Sequence, residues 1–273
     1  MKKFEIDGYE MAYLDVGQGP VIIFGHAYLM DSSMWVHQVE VLKENYRCII
    51  PDFWGHGASD SIPKSVNTLK DYAKQVNGLL DSLGIYEFSV VGLSMGGVWG
   101  AELASLIPQR VKSLVLMDTF VGLEPEVSHK KFFAMLELIE ARQAITSDIS
   151  EDIVYLYFSN STAESSRLGE KLRKKLTNLE AVSVINLVKV GRMFFGRRDQ
   201  TAELEKLSMP ALIAVGQQDK LHRVLESYLM QDCLNNSELV EISHAGHLSN
   251  LEQPDFVTDM LARFLTRPQI SSS

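Results

Sequence analysis

Short apolar runs alternate with amphipathic segments along the first half of the chain. The runs Val21-Ile22-Ile23-Phe24 and Arg47-Cys48-Ile49-Ile50 are rich in β-branched residues and almost entirely apolar, which is typical of strands buried on both faces. Residues 34–44, which lie between them, follow a helical pattern. The same patterns predict further strands over residues 9–14, 88–91, 111–117, 209–215 and 238–242, and further helices over residues 68–83, 98–107, 222–233 and 254–265.

The order of these elements predicts a mostly parallel sheet, because strands that alternate with helices are joined by right-handed crossovers. The alternation breaks between residues 124 and 195, where helical patterns occur without a convincing strand. We therefore expect one sheet-based domain built from residues 1–120 and 206–273, with a helical insertion at residues 121–205. A chain of 273 residues is long enough for this arrangement. The tail Ser271-Ser272-Ser273 is expected to fray.

The charge of the chain argues against a nucleic-acid partner. Its 26 basic and 35 acidic residues give a formal net charge of −9, and a negative surface repels phosphate backbones. The richest basic run, Lys171-Leu172-Arg173-Lys174-Lys175, follows a helical pattern and is interpreted as a solvated helix face. Cys48 and Cys233 form neither a disulfide framework nor a metal-binding spacing, so no metal site is expected.

The hydropathy of the chain predicts no membrane segment. The N-terminal residues lack the long apolar stretch of a signal peptide, and no other segment approaches the length of a membrane span. We expect a cytoplasmic protein without a membrane partner, present as a monomer or homodimer.

A glycine-flanked serine follows one of the predicted buried strands. The segment Gly92-Leu93-Ser94-Met95-Gly96-Gly97 links that strand to a helix. A serine on such a sharp turn is held in a strained conformation with its hydroxyl raised at the carboxyl end of the sheet, where ligands bind in open α/β sheets. Glycine at positions 92 and 96 removes Cβ atoms that would crowd the turn. Ser94 is thus the candidate nucleophile, and the Met95 N–H at the helix start is a candidate oxyanion donor.

A serine nucleophile needs a general base and an acid that orients it. His247 follows the last predicted strand, on a loop that Gly246 is expected to let bend, and is our candidate base. His244, which ends that strand directly, is interpreted as structural. Asp219 follows the strand at residues 209–215 and is the candidate acid. Asp118, at the end of an earlier strand, is the alternative. The order serine, aspartate, histidine along the chain fits a serine hydrolase with either aspartate, and Asp219 is our choice.

Four segments together resemble the α/β-hydrolase superfamily over nearly the whole chain. They are the turn at Gly92–Gly97, the loop Asp52-Phe53-Trp54-Gly55-His56-Gly57-Ala58-Ser59-Asp60, the acid segment Gly216–Asp219 and the histidine segment Ala245-Gly246-His247. The resemblance implies a mostly parallel, eight-stranded sheet flanked by helices, with a helical cap at residues 121–205. It also implies a second oxyanion donor, the N–H of Tyr28, above a structural His26.

Two positions depart from the pattern of the family. The family usually has His-Gly after the third strand, whereas this chain has His26-Ala27 immediately before the expected donor at Tyr28. Trp54 stands where an arginine is common, so any ion pair made by that arginine is missing here.

The expected activity is cleavage of small to medium carboxylic esters through an acyl-enzyme on Ser94, without a metal or organic cofactor. The related haloalkane dehalogenases and epoxide hydrolases use aspartate at the nucleophile position, so Ser94 argues against those activities. The same residues would equally serve an enol-lactonase-like lactonase, a carbon–carbon bond hydrolase or an acyl-carrier methyl esterase. A small-molecule receptor that carries an intact triad is a further alternative.

Four residues and part of the predicted cap are expected to form the substrate pocket. We expect Tyr28, Phe120, Met193 and Leu248 to contact the substrate. The predicted cap is rich in aromatic and methionine side chains, of which most are expected to pack against one another or the sheet domain and a minority to line an apolar pocket. These residues are Phe132, Phe133, Met135, Leu136, Tyr155, Tyr157, Phe158, Met193, Phe194 and Phe195.

Overall fold

The computed structural model of the chain describes residues 1–266, except for the side chain of Ser165. The serine tail at residues 271–273 lies outside the described residues. Eight strands form one sheet in the order β1-β2-β4-β3-β5-β6-β7-β8. They are β1 (Lys2–Ile6), β2 (Tyr9–Val16), β3 (Val21–Gly25), β4 (Arg47–Pro51), β5 (Phe88–Leu93), β6 (Val111–Met117), β7 (Ala211–Gly216) and β8 (Ser237–Ile242).

The sheet is mostly parallel, as predicted. Strands β4, β3, β5, β6, β7 and β8 run parallel to their neighbours in that order, and only β1 with β2 and β2 with β4 pair antiparallel. The central strands are buried along almost their whole length, which explains their continuous apolar runs. Their carboxyl ends therefore share one edge of the sheet.

Strand β1 is the one strand that the apolar pattern did not reveal. It lies at the edge of the sheet, and only Phe4 and Ile6 are partly buried, so its alternation is too short to stand out in the sequence. An ion pair joins Lys3 to Glu10 on β2. Asp7 and Gly8, both with positive φ, form the tight turn between the two strands. An Asp-Gly pair is a hairpin signal, and it could have indicated this strand.

Twelve α-helices surround or extend from the sheet within residues 1–266. Helix α2 begins after Thr68, whose side chain and that of Asp71 form a reciprocal capping box. The helices are α1 (Val36–Leu42), α2 (Leu69–Ser82), α3 (Met95–Leu106), α4 (Glu126–Arg142), α5 (Ser147–Tyr157), α6 (Asn160–Ser165), α7 (Arg167–Thr177), α8 (Ala181–Phe195), α9 (Thr201–Leu204), α10 (Val224–Cys233), α11 (Ser249–Glu252) and α12 (Pro254–Leu265).

Helices α4 to α8 form a continuous insertion between β6 and β7; we call them the insertion helices. They contact loops at the carboxyl edge of the sheet. The Tyr157 carbonyl on α5 accepts a hydrogen bond from the Leu248 N–H, and the Leu187 carbonyl on α8 accepts one from the Tyr28 hydroxyl. The insertion helices therefore cover the edge where the predicted site lies. None of the helices within residues 1–266 combines the length and apolarity needed to cross a bilayer.

Candidate active site

Ser94 lies on a sharp turn between β5 and α3. Its φ of +57° is in the left-handed region, which a residue with a Cβ rarely adopts. The Ser94 N–H donates to the Met117 carbonyl at 2.9 Å, and the Ser94 carbonyl accepts from Thr119 Oγ1 at 2.8 Å. Hydrogen bonds from the neighbouring strand β6 and the loop after it therefore hold this strained backbone in place.

The glycines around Ser94 are required by close backbone contacts. A Cβ at Gly92 would overlap the carbonyl oxygen of Gly96, which is the crowding across the turn that the sequence predicts. A Cβ at Gly96 would instead overlap the carbonyl of Gly25 at the end of β3. The turn is therefore packed against itself and against the adjacent strand.

Ser94, His247 and Asp219 lie within hydrogen-bonding distance of one another. Ser94 Oγ is 2.8 Å from His247 Nε2, and His247 Nδ1 is 2.9 Å from Asp219 Oδ2. The three residues are 1%, 0% and 8% exposed. With a proton on Nδ1 donated to the carboxylate, Nε2 is free to accept the serine proton, which is the arrangement that general-base catalysis requires.

The Asp219 carboxylate is oriented by its own loop. Its Oδ1 accepts hydrogen bonds from the N–H groups of Leu221 at 2.8 Å and His222 at 3.1 Å, which leaves Oδ2 facing His247. The Gln218 N–H donates to the Ala245 carbonyl at 2.8 Å. The acid loop and the histidine loop are thus joined directly through the backbone.

The bend of the histidine loop lies at a different residue from the one expected. The sequence assigns the bend to Gly246, but His244 carries the positive φ, at +58°. Gly246 is needed for space, because a Cβ there would press against the backbone of Phe158 and Ser159. The Gly246 N–H donates to Glu252, and the exposed His244 accepts at its carbonyl from Gln253. These contacts agree with a structural role for His244.

Asp118, the alternative acid, lies beside the acid loop and contacts other partners. It is fully buried, and its carboxylate accepts hydrogen bonds from the Gly216 N–H at 2.7 Å and the Ser249 hydroxyl. Burial raises the pKa of Asp118 well above its usual range, and the charge of Asp219 adds to this. Asp118 links β6, the acid loop and α11, whereas Asp219 is the carboxylate that contacts His247.

The two predicted oxyanion donors belong to two different segments of the chain. The Met95 N–H is at the first position of α3, where a helix offers no internal acceptor. Tyr28 belongs to the loop after β3, and its neighbour Leu29 has a φ of +65°. The Tyr28 carbonyl accepts a 2.8 Å hydrogen bond from the Tyr157 hydroxyl, and the Tyr28 hydroxyl donates to Leu187 at 2.8 Å. Hydrogen bonds to the insertion helices therefore hold both the backbone and the side chain of Tyr28.

Two buried histidines accept backbone hydrogen bonds in and around the loop that contains Tyr28. His26 Nε2 accepts from the Phe53 N–H at 2.8 Å, which agrees with the structural role expected for it. His56 Nε2 accepts from the Leu29 N–H at 3.1 Å, a contact that the sequence did not indicate. Burial lowers the pKa of both imidazoles, so both stay neutral acceptors at neutral pH. Trp54, one of the two expected departures from the family pattern, is fully buried and donates from Nε1 to Gln75 at 2.7 Å.

The predicted substrate-contacting residues lie in different surroundings. Tyr28, Phe120 and Leu248 are buried, at 3%, 9% and 0% exposure. Met193 is partly exposed and lines a cleft of about 770 Å³ between α2, α3 and α8. Many of the aromatic side chains in the insertion helices pack together, as expected: the rings of Phe132 and Phe195 stack at 4.2 Å.

Three residues near the site carry no motif: the sequence indicated Tyr157 only as one of the cap aromatics, and it did not indicate His222 or Arg197. Tyr157 packs its ring 5.4 Å from that of His247. His222 places its ring 5.5 Å from His247 on another side. Arg197, just after α8, forms a fully buried ion pair with Glu124. The positions of Tyr157 and Arg197 depend on the packing of the insertion helices, which local patterns do not encode, whereas His222 lies in the acid loop, three residues after Asp219.

A family model described as the alpha/beta hydrolase fold matches residues 20–254 of the chain. The chain therefore belongs to the α/β-hydrolase family, and its sheet and flanking helices are the fold that the resemblance implied. Membership of this family, together with the relatives described next, identifies the chain as a hydrolase.

Similar proteins include esterases, lactonases and other hydrolases. The 3-oxoadipate enol-lactonase 1 of Acinetobacter baylyi is 27% identical over 247 residues, which cover 90% of this chain and 88% of the relative. The 2-hydroxy-6-oxo-6-(2'-aminophenyl)hexa-2,4-dienoic acid hydrolase of Metapseudomonas resinovorans is 26% identical, covering 95% and 89%. A thermophilic esterase from Thermogutta terrifontis superposes with a TM-score of 0.86 at 28% identity, covering 97% and 98%.

Proposed function

We propose that the protein is a serine hydrolase that cleaves small to medium carboxylic esters or lactones through an acyl-enzyme on Ser94. The observation that carries this proposal is the unbroken hydrogen-bonded chain from Ser94 through His247 to Asp219. Each of the three comes from a different loop at the carboxyl edge of the sheet, on a backbone tied to its neighbours. The enol-lactonase and esterase relatives support the same class of reaction.

In the first half of the reaction, Ser94 Oγ attacks the substrate carbonyl while His247 Nε2 takes its proton. The positive charge that develops on the imidazole is stabilised by Asp219. The carbonyl oxygen becomes an oxyanion, which the N–H groups of Met95 and Tyr28 would hold. Return of the proton from His247 to the leaving oxygen breaks the carbon–oxygen bond and leaves the acyl group on Ser94.

In the second half, water replaces the leaving group. His247 takes a proton from the water, the hydroxide attacks the acyl carbonyl, and the same two N–H groups hold the second oxyanion. The proton then returns from His247 to Ser94 Oγ, which releases the carboxylic acid. These steps are carried by the side chains and backbone of this chain alone.

The insertion helices are proposed to act as the cap of the active site. Ser94 and His247 are almost completely buried, and α5 and α8 contact the Tyr28 and His247 loops. A substrate must therefore pass beside these helices. We propose Tyr28, Phe120, Met193 and Leu248 as candidates for contact with the acyl or leaving group. The cytoplasmic location, and the division into one sheet-based domain at residues 1–120 and 206–273 with a helical cap insertion at residues 121–205, stay predictions of the sequence.

A carbon–carbon bond hydrolase is the second candidate function. The Metapseudomonas relative, named as a dienoic acid hydrolase, supports it at an identity close to that of the enol-lactonase. The acyl-carrier methyl esterase and the receptor stay alternatives from the sequence, without a specific contact that favours them.

The test is steady-state hydrolysis of p-nitrophenyl esters with acyl chains of two to eight carbons. We expect many turnovers per protein molecule, and no turnover above background for Ser94→Ala with an unchanged circular dichroism spectrum. Lactones, acyl-carrier methyl esters and a dienoic acid substrate assayed in parallel would separate the candidate activities. A single slow turnover for every compound would instead favour a receptor.

A further inference from the structure

A buried arginine near the site has one side of its guanidinium without a partner. Arg197 Nη1 contacts Glu124 Oε2 at 2.8 Å, and the two side chains are 2% and 1% exposed. Arg197 Nε and Nη2 are also buried, but neither makes a hydrogen bond within the described part of the chain. Glu124 Oε1 is likewise without a partner there. The ion pair therefore satisfies only half of each side chain.

The free atoms of Arg197 have the geometry that recognises a carboxylate. Nε–H and one Nη2–H point in parallel from the same edge of the planar guanidinium, and this edge accepts both oxygens of a carboxylate at once. A buried donor without an acceptor is unfavourable. If Arg197 served only to pair with Glu124, the folded protein would be more stable with a protein oxygen accepting hydrogen bonds from this free edge.

A chain of ring contacts connects Arg197 to the candidate active site. Its guanidinium lies 5.3 Å from the centre of the Phe194 ring, and the Phe194 ring lies 6.3 Å from that of His222. The His222 ring is in turn 5.5 Å from the ring of His247. His222 Nδ1 is also buried without a hydrogen bond in the described residues. Burial, and next the charge of Arg197, lower the pKa of His222 to about 3, so this imidazole is neutral.

Arg197 also lines the cleft of about 770 Å³ that contains Met193. Gln200, which is 1% exposed, lines the same cleft and has a buried Oε1 without a partner within residues 1–266. The charged lining of this cleft is six basic residues and one acid, Glu102, although the whole chain has a net charge of −9. The lysines of the cleft form no salt bridge in the described part of the chain: Lys64, Lys70 and Lys189.

We propose that Arg197 binds a carboxylate carried by the substrate, which reaches it through this basic cleft. The physiological substrate would then be an ester or lactone that also has a free carboxylate, rather than a plain alkyl ester. Glu124 favours a carboxylate over a phosphate, because its negative charge beside Arg197 opposes a dianion more than a monoanion. This inference rests on the proposed function, since it names the substrate class of the same site.

The first experiment compares two substrates that differ in one group. Wild type, Arg197→Lys and the exposed control Arg263→Lys are assayed with p-nitrophenyl hydrogen glutarate, which has a free carboxylate, and with neutral p-nitrophenyl pentanoate. We expect wild type and Arg263→Lys to prefer the glutarate ester in kcat/KM. Arg197→Lys keeps the charge but loses the paired donors, so this preference should fall roughly 10- to 100-fold. The ratio of the two kcat/KM values is unaffected by any loss of activity that is common to both substrates.

The second experiment tests binding without catalysis. Titration of glutarate into Ser94→Ala, followed by calorimetry, should show binding that is lost in Ser94→Ala/Arg197→Lys. If wild type hydrolyses no ester but glutarate still binds through Arg197, the proposed function fails and the carboxylate site stands. If Arg197→Lys is folded and neither the preference nor the binding changes, the carboxylate site is refuted.

A double variant keeps the proposal testable if the single substitution does not fold. Should circular dichroism show that Arg197→Lys is unfolded, Glu124→Gln/Arg197→Met removes both buried charges together and leaves neither unpaired. The same loss of glutarate preference and binding is expected for it, and retention of both would overturn the proposal.

Discussion

The hydroxyl of Tyr157 donates a 2.8 Å hydrogen bond to the carbonyl oxygen of Tyr28. This bond joins α5 to the loop that carries the proposed second oxyanion donor. The ring of Tyr157 packs against that of His247, and the backbone carbonyl of Tyr157 accepts a hydrogen bond from the Leu248 N–H. One residue of the insertion helices thus contacts two loops of the proposed site.

Tyr157→Phe should therefore lower kcat with little change in KM. The substitution removes only the hydroxyl, which frees the Tyr28 peptide to move from the oxyanion position. We expect a loss of roughly tenfold, less than the 10²–10³ that follows complete removal of one oxyanion donor. Burial raises the pKa of Tyr157 well above its usual range, so the hydroxyl stays a donor across the assay range. Steady-state kinetics with p-nitrophenyl acetate would measure the effect.

Tyr155→Phe is the matched control, because it removes a hydroxyl from the same helix α5 at a side chain that is 56% exposed. An equal loss of kcat in both variants, or a change confined to KM, would contradict a positioning role for Tyr157.

The two buried aspartates should respond differently to the same substitution. Asp219→Asn should reduce kcat by roughly 10⁴, because an amide favours the wrong tautomer of His247. Asp118→Asn should cost far less activity, since an amide oxygen can still accept from the Gly216 N–H. Both variants should keep the fold, as judged by circular dichroism. If Asp118→Asn is the more damaging change, the assignment of Asp219 as the acid is wrong.

A buried neutral imidazole should make the stability of the protein depend on pH. The pKa of His222 is lowered from 6.5 to about 3, first by burial. Between these values the unfolded chain binds a proton that the folded chain does not, so the free energy of unfolding must fall as the pH decreases below 6.5. A single such group contributes a slope of about 1.4 kcal/mol per pH unit.

His222→Gln should remove this contribution. Urea unfolding at pH 7.5, 6.5, 5.5 and 4.5 should show a shallower loss of stability for the variant than for wild type, whatever their difference at pH 7.5. The exposed His37→Gln serves as the control. Parallel curves for wild type and His222→Gln would show that His222 is not held neutral by the fold.

The sequence predicted the parts of the site that depend on strand ends. Ser94, Asp219 and His247 each follow a strand of the parallel sheet, so the sheet topology brings their loops to one edge, and turn glycines mark the first of them. Asp118 follows a strand in the same way, and only the observed contacts distinguish it from Asp219.

The rest depended on packing that local patterns do not record. Tyr157, His222 and Arg197 lie in helical or irregular segments with no motif, and their neighbours come from distant parts of the chain. Strand β1 was missed because this edge strand has only two apolar positions, Phe4 and Ile6, which make too short an alternation to recognise. The bend at His244 was assigned to Gly246 because glycine is the usual residue at positive φ, whereas here its small size is what the packing requires.

The basic cleft should speed the capture of carboxylate substrates. Lys189 lines this cleft from α8 and is exposed, so its charge acts on the approaching substrate through solvent. Lys189→Glu should lower kcat/KM for p-nitrophenyl hydrogen glutarate several-fold at about 20 mM salt. The effect should largely disappear by about 500 mM, because salt screens exposed charges within a few ångströms. The neutral pentanoate ester should show no such salt dependence.

Lys112→Glu, at the start of β6 and so at the opposite edge of the sheet, is the matched control. A loss in Lys189→Glu that is equal for both esters and independent of salt would mean that the lysine supports the structure rather than attracting the substrate.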